Sequence, residues 1–276
     1  MINLSAWGYA GSYHLLDERA NMPNWCSNTM VVKGPKPELK RFLKAMKVKE
    51  MQKVGEIRDD KWVETGEKEV EVDSLNHLDP IPEALLNTVA GSVSEDKKAD
   101  HVKQMHDNLD KYGYKDWYDY ACSVWGSKWG ASDVYVSQDN FDEGSLSLSF
   151  QSAWSPCNGL IARVSEQFPK LVFGVVFTEE AEFFAGWAVI HNGKLIVEGE
   201  GETEEPTEIS EMPQDTDDEV DAYWEAQNDW RCERDDALHD SCNKAMDLTE
   251  SWIRSNQRRK EKLTFRQYDD YLLDKS

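Results

Sequence analysis

A chain of 276 residues can form one large domain or two ordinary ones, and its 11 Trp, 10 Tyr and 9 Phe provide bulk for a packed core. This aromatic content excludes wholesale disorder, because disordered chains lack the apolar groups that offset the entropy of ordering. The 53 acidic and 31 basic side chains give a net charge of −22, which disfavours direct binding to nucleic-acid phosphates or anionic membranes.

The sequence predicts a soluble protein. No apolar run reaches the roughly 18 residues of a membrane span, and residues 1–9 lack the basic and apolar regions of a signal peptide. The five cysteines are odd in number and widely scattered, which is typical of reduced thiols rather than of a disulfide framework. We therefore expect no membrane contact and a location in the cytoplasm.

The regular pattern of the chain begins at residue 28. Residues 1–21 have no clear period and are interpreted as an N-terminal extension. Residues 28–33 alternate as in a strand, and residues 37–47 carry apolar side chains at helical spacing. A proline begins this helix, where its missing N–H group does no harm.

A second strand is expected at residues 72–78, followed by a helical insertion over about residues 80–130. Beyond the insertion, short strands and one helix alternate as in a compact domain. The elements predicted there are strands 133–137 and 145–151, helix 159–168, and strands 171–178, 183–190 and 194–198. The last two strands flank an Asn-Gly pair, which is the strongest short-range signal for a hairpin.

The stronger elements follow a βαββαβ order, with the insertion between the second and third strands. This order predicts an α+β fold: a ferredoxin-like antiparallel sheet with two helices on one face and an added hairpin at residues 183–198. The domain is expected to span residues 22–198.

The composition changes sharply at the end of this domain. Residues 198–229 contain fourteen acidic side chains and no Lys or Arg. Two prolines interrupt the first part, so residues 199–216 are interpreted as an acidic linker. Residues 217–276 have helical periodicity and predict a C-terminal segment of two helices, which pack on the sheet or on each other.

Four stretches of the chain carry a family resemblance. They are Met22–Val32, Leu78–Leu85, Trp125–Ala131 and Phe150–Pro156. Together they resemble the YubB-like family, which bacteriophages and conjugative plasmids encode, over roughly residues 22–198. That family has an uncharacterised function and a ferredoxin-like C-terminal region. The resemblance therefore implies an accessory protein of a mobile element with this fold, and it implies no reaction.

Two features are candidate partner-binding surfaces. Two Trp-containing loops bracket the predicted strand hairpin, and indole rings anchor interfaces because they bury large areas and carry an N–H group; core packing is the alternative. The acidic run can imitate a phosphate array and occupy a basic groove, or it can serve solubility alone. The predicted partner-binding residues are Trp125, Lys128, Trp129, Trp154, Ser155, Glu202, Glu204, Glu205, Asp215, Asp217, Asp218 and Glu219.

The leading hypothesis is a non-catalytic binding protein of a phage or plasmid that inhibits a host protein or complex, in defence or nucleic-acid processing, by acidic mimicry of nucleic acid. One alternative is a single-stranded nucleic-acid-binding protein that stacks bases on the Trp loops, although no basic groove accompanies them. Another is an enzyme, although no nucleophile elbow or phosphate loop is present. No cofactor is expected, because Cys232, His239 and Cys242 supply three ligands where structural zinc needs four.

Overall fold

The computed structural model describes residues 23–58, 61–181, 183–201 and 217–257. Within these ranges the strands are β1 (Trp25–Lys33), β2 (Lys47–Arg58), β3 (Lys61–Asp73), β4 (Ser132–Asn140), β5 (Ser145–Ala153), β6 (Val172–Glu179), β7 (Ala185–His191) and β8 (Lys194–Glu200). The α-helices are α1 (Lys36–Met46), α2 (Glu83–Leu86), α3 (Lys98–Tyr112), α4 (Trp117–Tyr120), α5 (Asn158–Glu166) and α6 (Asp217–Gln257). A π-helical turn at Ala121–Trp125 follows α4 directly.

Six strands form one antiparallel sheet in the order β4-β5-β1-β6-β7-β8. The chain order β1-α1-β4-β5-α5-β6, with these four strands adjacent, is the ferredoxin-like arrangement, so the predicted α+β fold is confirmed. The hairpin β7-β8 extends the sheet. Its turn has positive φ at both Asn192 and Gly193 (47° and 78°), as expected for an Asn-Gly hairpin turn.

The second strand of the ferredoxin-like core is β4, so the prediction for residues 72–78 is wrong. Only the first two of these residues belong to a strand, and that strand pairs with β2 in a separate two-stranded ribbon. The insertion therefore lies between α1 and the second core strand. Alternating Val and charged residues gave the ribbon a strand pattern, but its side chains are largely exposed and cannot join the core.

One face of the sheet packs against α1 and α5 and forms the main core. Strand β5 reads Ser-Leu-Ser-Leu-Ser-Phe, and its three apolar side chains point into this core while the serines face the opposite side. Helix α1 buries Leu39, Phe42 and Met46, which share one face at helical spacing. The Phe42 ring makes edge contacts with Phe168 and Phe173.

Helix α6 covers part of the opposite face, over β6 and β7. It buries Leu238, Cys242 and Met246 against valines of these strands, in a second cluster. Gly174 permits this contact, because a Cβ atom there would lie 2.9 Å from the Cys242 sulfur. The described part of the C-terminal segment is thus one helix of 41 residues, and the rest of the segment for which two helices were predicted lies outside the described residues. No helix within the described ranges is long and apolar enough to cross a membrane.

Candidate recognition surfaces

Trp125, which was predicted as a partner-binding residue, lies in the core, in agreement with the alternative of core packing. Its side chain is 2% exposed, and its indole N–H donates a hydrogen bond to Asp79 Oδ2 (3.1 Å). The same carboxylate oxygen accepts from Arg163 Nε (2.7 Å). Asp79 is therefore a buried junction that joins the Leu78–Leu85 stretch to the first Trp-containing loop and to α5.

Hydrogen bonds fix the two Trp-containing loops against each other. Ser127 Oγ donates to the Ala153 carbonyl oxygen and accepts from the Ala153 amide, each at 3.1 Å. Ser155 Oγ donates to the Gly126 carbonyl oxygen at 2.6 Å. The predicted residue Ser155 thus ties the loops together, and its hydroxyl is already engaged.

The side chain of Asn76 fixes the backbone of the first Trp-containing loop. Its side-chain amide donates to the Trp129 carbonyl oxygen and accepts from the Ala131 amide, both at 2.9 Å. Between these residues, Gly130 has a φ of 66°, and a Cβ atom there would collide with the Asn76 side chain. Glycine is required for both reasons, since it alone adopts this backbone without strain and leaves room for the clamp.

Trp154 projects from the second loop with a strained backbone. Its φ is 62°, in the left-handed region that bulky residues avoid, and its amide donates to the Asn24 carbonyl oxygen at 2.9 Å. The side chain is nevertheless 42% exposed. Strain of this kind persists only where the surrounding structure imposes it, and strained residues are frequent at functional sites. The backbone of Trp154 therefore supports the hypothesis that this loop has a function.

Three indole rings and one lysine form a surface that we name the Trp platform (Trp25, Lys128, Trp129, Trp154). Ring centroids are 6.1 Å apart for Trp25 and Trp129 and 5.9 Å apart for Trp129 and Trp154. Lys128 Nζ lies 4.4 Å from the Trp129 centroid and 5.2 Å from that of Trp154, within cation–π range. Burial against these rings lowers the pKa of the Lys128 ammonium.

Four of the predicted acidic residues, Glu202, Glu204, Glu205 and Asp215, lie outside the described residues. The other three, Asp217, Asp218 and Glu219, form the first turn of α6, and the positions of their side chains are not described. Carboxylates in a first turn are favoured by the helix dipole, which is a structural reason for acids at these positions.

A stripe of acids follows along α6. Six exposed carboxylates recur every three or four residues and so lie along one side of the helix. We name them the acidic stripe: Asp221, Glu225, Asp229, Glu233, Asp236 and Asp240. With a rise of 1.5 Å per residue the stripe extends about 28 Å, and an interval of four residues is about 6 Å.

Between Trp25 of the Trp platform and the edge of α6, the outward-facing side chains of β1 and β5 are small and polar. The side chains that face outward there are Ser27 and Thr29 on β1 and Ser147 and Ser149 on β5. A nucleic-acid-binding sheet of the kind considered above carries aromatic rings at such positions. Among the described residues, no cluster of His, Cys, Asp and Glu could hold a metal ion.

Sequence reasoning did not identify Trp25, Asn76 and Asp79 as part of this region. Trp25 and Asp79 lie within the first two of the four resembling stretches, which the fold brings together around the Trp platform. For Trp25, the alternation of side chains along a strand was one indication, because residues 25 and 27 lie on the same face and Ser27 is exposed. Asn76 left no pattern in the sequence, since its role depends on a contact 53 residues away.

Part of the chain matches a known family. Residues 127–225 match the family model described as the ferredoxin-like domain in Api92-like protein. This match agrees with the fold and covers β4 to β8, both Trp-containing loops from Ser127 onward and the start of the acidic stripe. The solved structure of the protein api92 from Yersinia pseudotuberculosis is also similar, with 12% identity and a TM-score of 0.37, over 65% of this chain and 98% of that one. No curated protein matches the chain.

Proposed function

We propose that this chain is a non-catalytic binding protein whose acidic stripe occupies a basic surface on a partner protein. The observation that carries the proposal is the alignment of six exposed carboxylates on one side of α6. Like charges spaced three or four residues apart destabilise a helix by about 0.2–0.5 kcal/mol per pair. A partner of opposite charge would relieve this repulsion on binding.

The geometry of the stripe suits a surface that otherwise holds nucleic acid. Most of its carboxylates follow one another at about 6 Å along α6, which gives a line of negative charge comparable to one phosphate strand. The net charge of −22 adds long-range attraction to a basic groove and raises the association rate. The proposed partner is therefore a nucleic-acid-binding host protein, and the proposed effect is inhibition by competition.

The biological setting of the proposal rests on the resemblance of the four stretches to the YubB-like family. That resemblance favours a chain encoded by a phage or plasmid and a partner in host defence or nucleic-acid processing. The resemblance covers neither the stripe nor the rest of α6. The biological setting is therefore supported by the resemblance, and binding through the stripe is supported separately by the geometry of α6.

A capture experiment from bacterial lysate tests the proposal. Three tagged chains are compared: the native chain, one with the stripe neutralised to Asn and Gln, and a control with the same change in charge. The control neutralises six exposed acids around α3, namely Glu83, Glu95, Asp96, Asp100, Asp107 and Asp110. If each exposed ion pair contributes about 0.3 kcal/mol, the stripe variant binds a captured protein roughly 20-fold more weakly.

The control separates a specific surface from bulk charge. The native chain and the α3 control are expected to retain one stoichiometric partner that the stripe variant loses. If both variants lost the partner equally, binding would depend on net charge and not on the stripe. If all three chains retained the partner equally, the proposed role of the stripe would be wrong.

The Trp platform favours a second candidate function, direct binding of single-stranded nucleic acid. Its exposed Trp154 and the adjacent Lys128 provide one stacking ring and one cation, which are the elements of such sites. Fluorescence titration with a 20-nucleotide thymidine oligomer at low salt tests this candidate, with Trp154→Ala as the matched variant. Binding by the native chain that is lost in the variant would favour it, and the absence of binding at low salt would eliminate it.

A further inference from the structure

Beyond the edge of α6, the sheet face forms a shallow concavity across β1, β5 and β4. Its volume is about 320 Å³, at the lower end of the range for small-molecule sites. The lining residues that reach it from the outward-facing positions are Ser27, Thr29, Asp133, Tyr135, Ser149 and Gln151. Helix α6 packs over β6 and β7 and reaches β1 at Val31 and Lys33, and none of its described residues lines the concavity.

The polar side chains of the concavity are held in place by strand pairing. Gln151 lies opposite Ser27 in the register of β5 and β1, and its amide nitrogen is 3.2 Å from the Ser27 hydroxyl. Ser149 lies opposite both Thr29 and Tyr135, so hydroxyl groups from three strands line one row. The result is a rigid set of donors and acceptors at fixed spacing, which is what recognition of hydroxyl groups requires.

Among the described residues that line the concavity, Asp133 provides the carboxylate, and it has a φ of 51°. The left-handed backbone places this residue at an irregularity in the pairing of β4 with β5. Beside it, the Tyr135 ring is 58% exposed and available as a flat apolar surface. A carboxylate can accept two hydrogen bonds from adjacent hydroxyl groups, and an aromatic face can pack against the C–H face of a sugar ring.

The charge of the concavity excludes anionic ligands. Among the described residues that line it there is no Lys or Arg, and one residue, Asp133, is acidic. The net charge of the chain, −22, repels phosphate and sulfate groups further. A neutral sugar fits this lining, because its hydroxyl groups can satisfy the hydroxyl and amide groups without charge and its C–H face can pack on the Tyr135 ring.

We propose that this concavity binds a neutral oligosaccharide. Tyr135 stacks on one sugar ring, Asp133 and Gln151 receive and donate hydrogen bonds at its hydroxyl rim, and the serine and threonine hydroxyls complete the contacts. The concavity accommodates about one or two sugar rings. The site is separate from the acidic stripe and does not depend on the function proposed above.

Titrations of the isotope-labelled chain with cellotriose, chitotriose and maltotriose, followed by amide chemical shifts, test the inference. At least one sugar is expected to shift amides of β1, β4 and β5, and not those of α3. Gln151→Ala and Asp133→Asn are expected to weaken that binding about 10-fold each, because each removes hydrogen bonds to the ligand. Asparagine tolerates the left-handed backbone of position 133, so the second variant retains the fold.

Gln138→Ala is the matched control, since Gln138 is exposed on β4 and lies outside the concavity. It is expected to bind the sugar as the native chain does. Absence of shifts with all three sugars would overturn the inference, as would unchanged binding by Gln151→Ala. Displacement of a bound sugar by a thymidine oligomer would also overturn it, because a site that takes phosphates is not selective for neutral ligands. None of these outcomes bears on the acidic stripe.

Discussion

Replacing Trp154 by glycine is expected to leave the protein more stable than replacing it by alanine. Both variants remove the same indole and the same contact with Trp129, so they differ only in the backbone. At a φ of 62°, an alanine is strained by about 1–2 kcal/mol, whereas glycine is not. Glycine loses about 0.5–1 kcal/mol more conformational entropy on folding. With the middle of each range, the difference favours the glycine variant by about 0.75 kcal/mol.

Urea unfolding followed by far-UV circular dichroism measures this difference without relying on the tryptophan signal. The pair Ser123→Gly and Ser123→Ala is the control, because Ser123 is exposed in a helical turn and has no positive φ. There the alanine variant is expected to be the more stable by about 1 kcal/mol. If alanine also exceeded glycine at position 154, Trp154 would have an ordinary backbone and the argument from strain would fail.

Three further predictions concern the buried groups. Asp79→Ala is expected to lower the free energy of unfolding by about 2–4 kcal/mol, because it leaves the Trp125 N–H buried without an acceptor. When Trp125 is already replaced by Phe, the same substitution is expected to cost at least about 1 kcal/mol less. An equal cost in both backgrounds would contradict the hydrogen bond between Trp125 and Asp79. Burial lowers the pKa of His191, so the unfolded chain binds the proton first and stability is lost as pH falls below about 6.5. Between pH 7.5 and 5.5, the urea midpoint of His191→Asn is expected to depend less on pH than that of the native chain. Parallel profiles of midpoint against pH would refute this prediction. Iodoacetamide at pH 8 is expected to modify at most two thiols in the folded chain and five in urea, because three thiols are buried. The number of modified thiols is counted by mass spectrometry, and modification of a third thiol without unfolding would contradict this prediction. The three buried thiols are those of Cys26, whose pKa burial raises to about 12, Cys157 and Cys242.

Local patterns in the sequence were sufficient for most of the ferredoxin-like elements. Alternation in residues 145–151 and the Asn-Gly turn determine their own structure, because the side-chain period and the turn geometry are local properties. The second core strand was misassigned because β3 also alternates, and alternation alone does not distinguish a ribbon in solvent from a strand in the core. Only the long-range pairing of β4 with β5 separates them.

The candidate surfaces were predicted less completely. Trp125 and Trp129 stand four residues apart in one glycine-containing stretch, yet the first enters the core and the second faces Trp25. That difference depends on the distant acceptor Asp79, which sequence spacing does not reveal. The acidic character of residues 198–229 was evident from composition, whereas the alignment of six acids on one side of α6 required a continuous helix through residue 240.

The proposed inhibition by the acidic stripe is tested most directly by displacement of DNA from the captured partner. A fluorescein-labelled 20-base-pair duplex is bound to that partner, and the native chain, the stripe variant and the α3 control are titrated against it while anisotropy is recorded. The account predicts that the native chain and the control release the duplex at the same concentration, and that the stripe variant requires at least about 10-fold more. A duplex that stays bound at saturating native chain, or that the stripe variant releases equally well, would contradict the account.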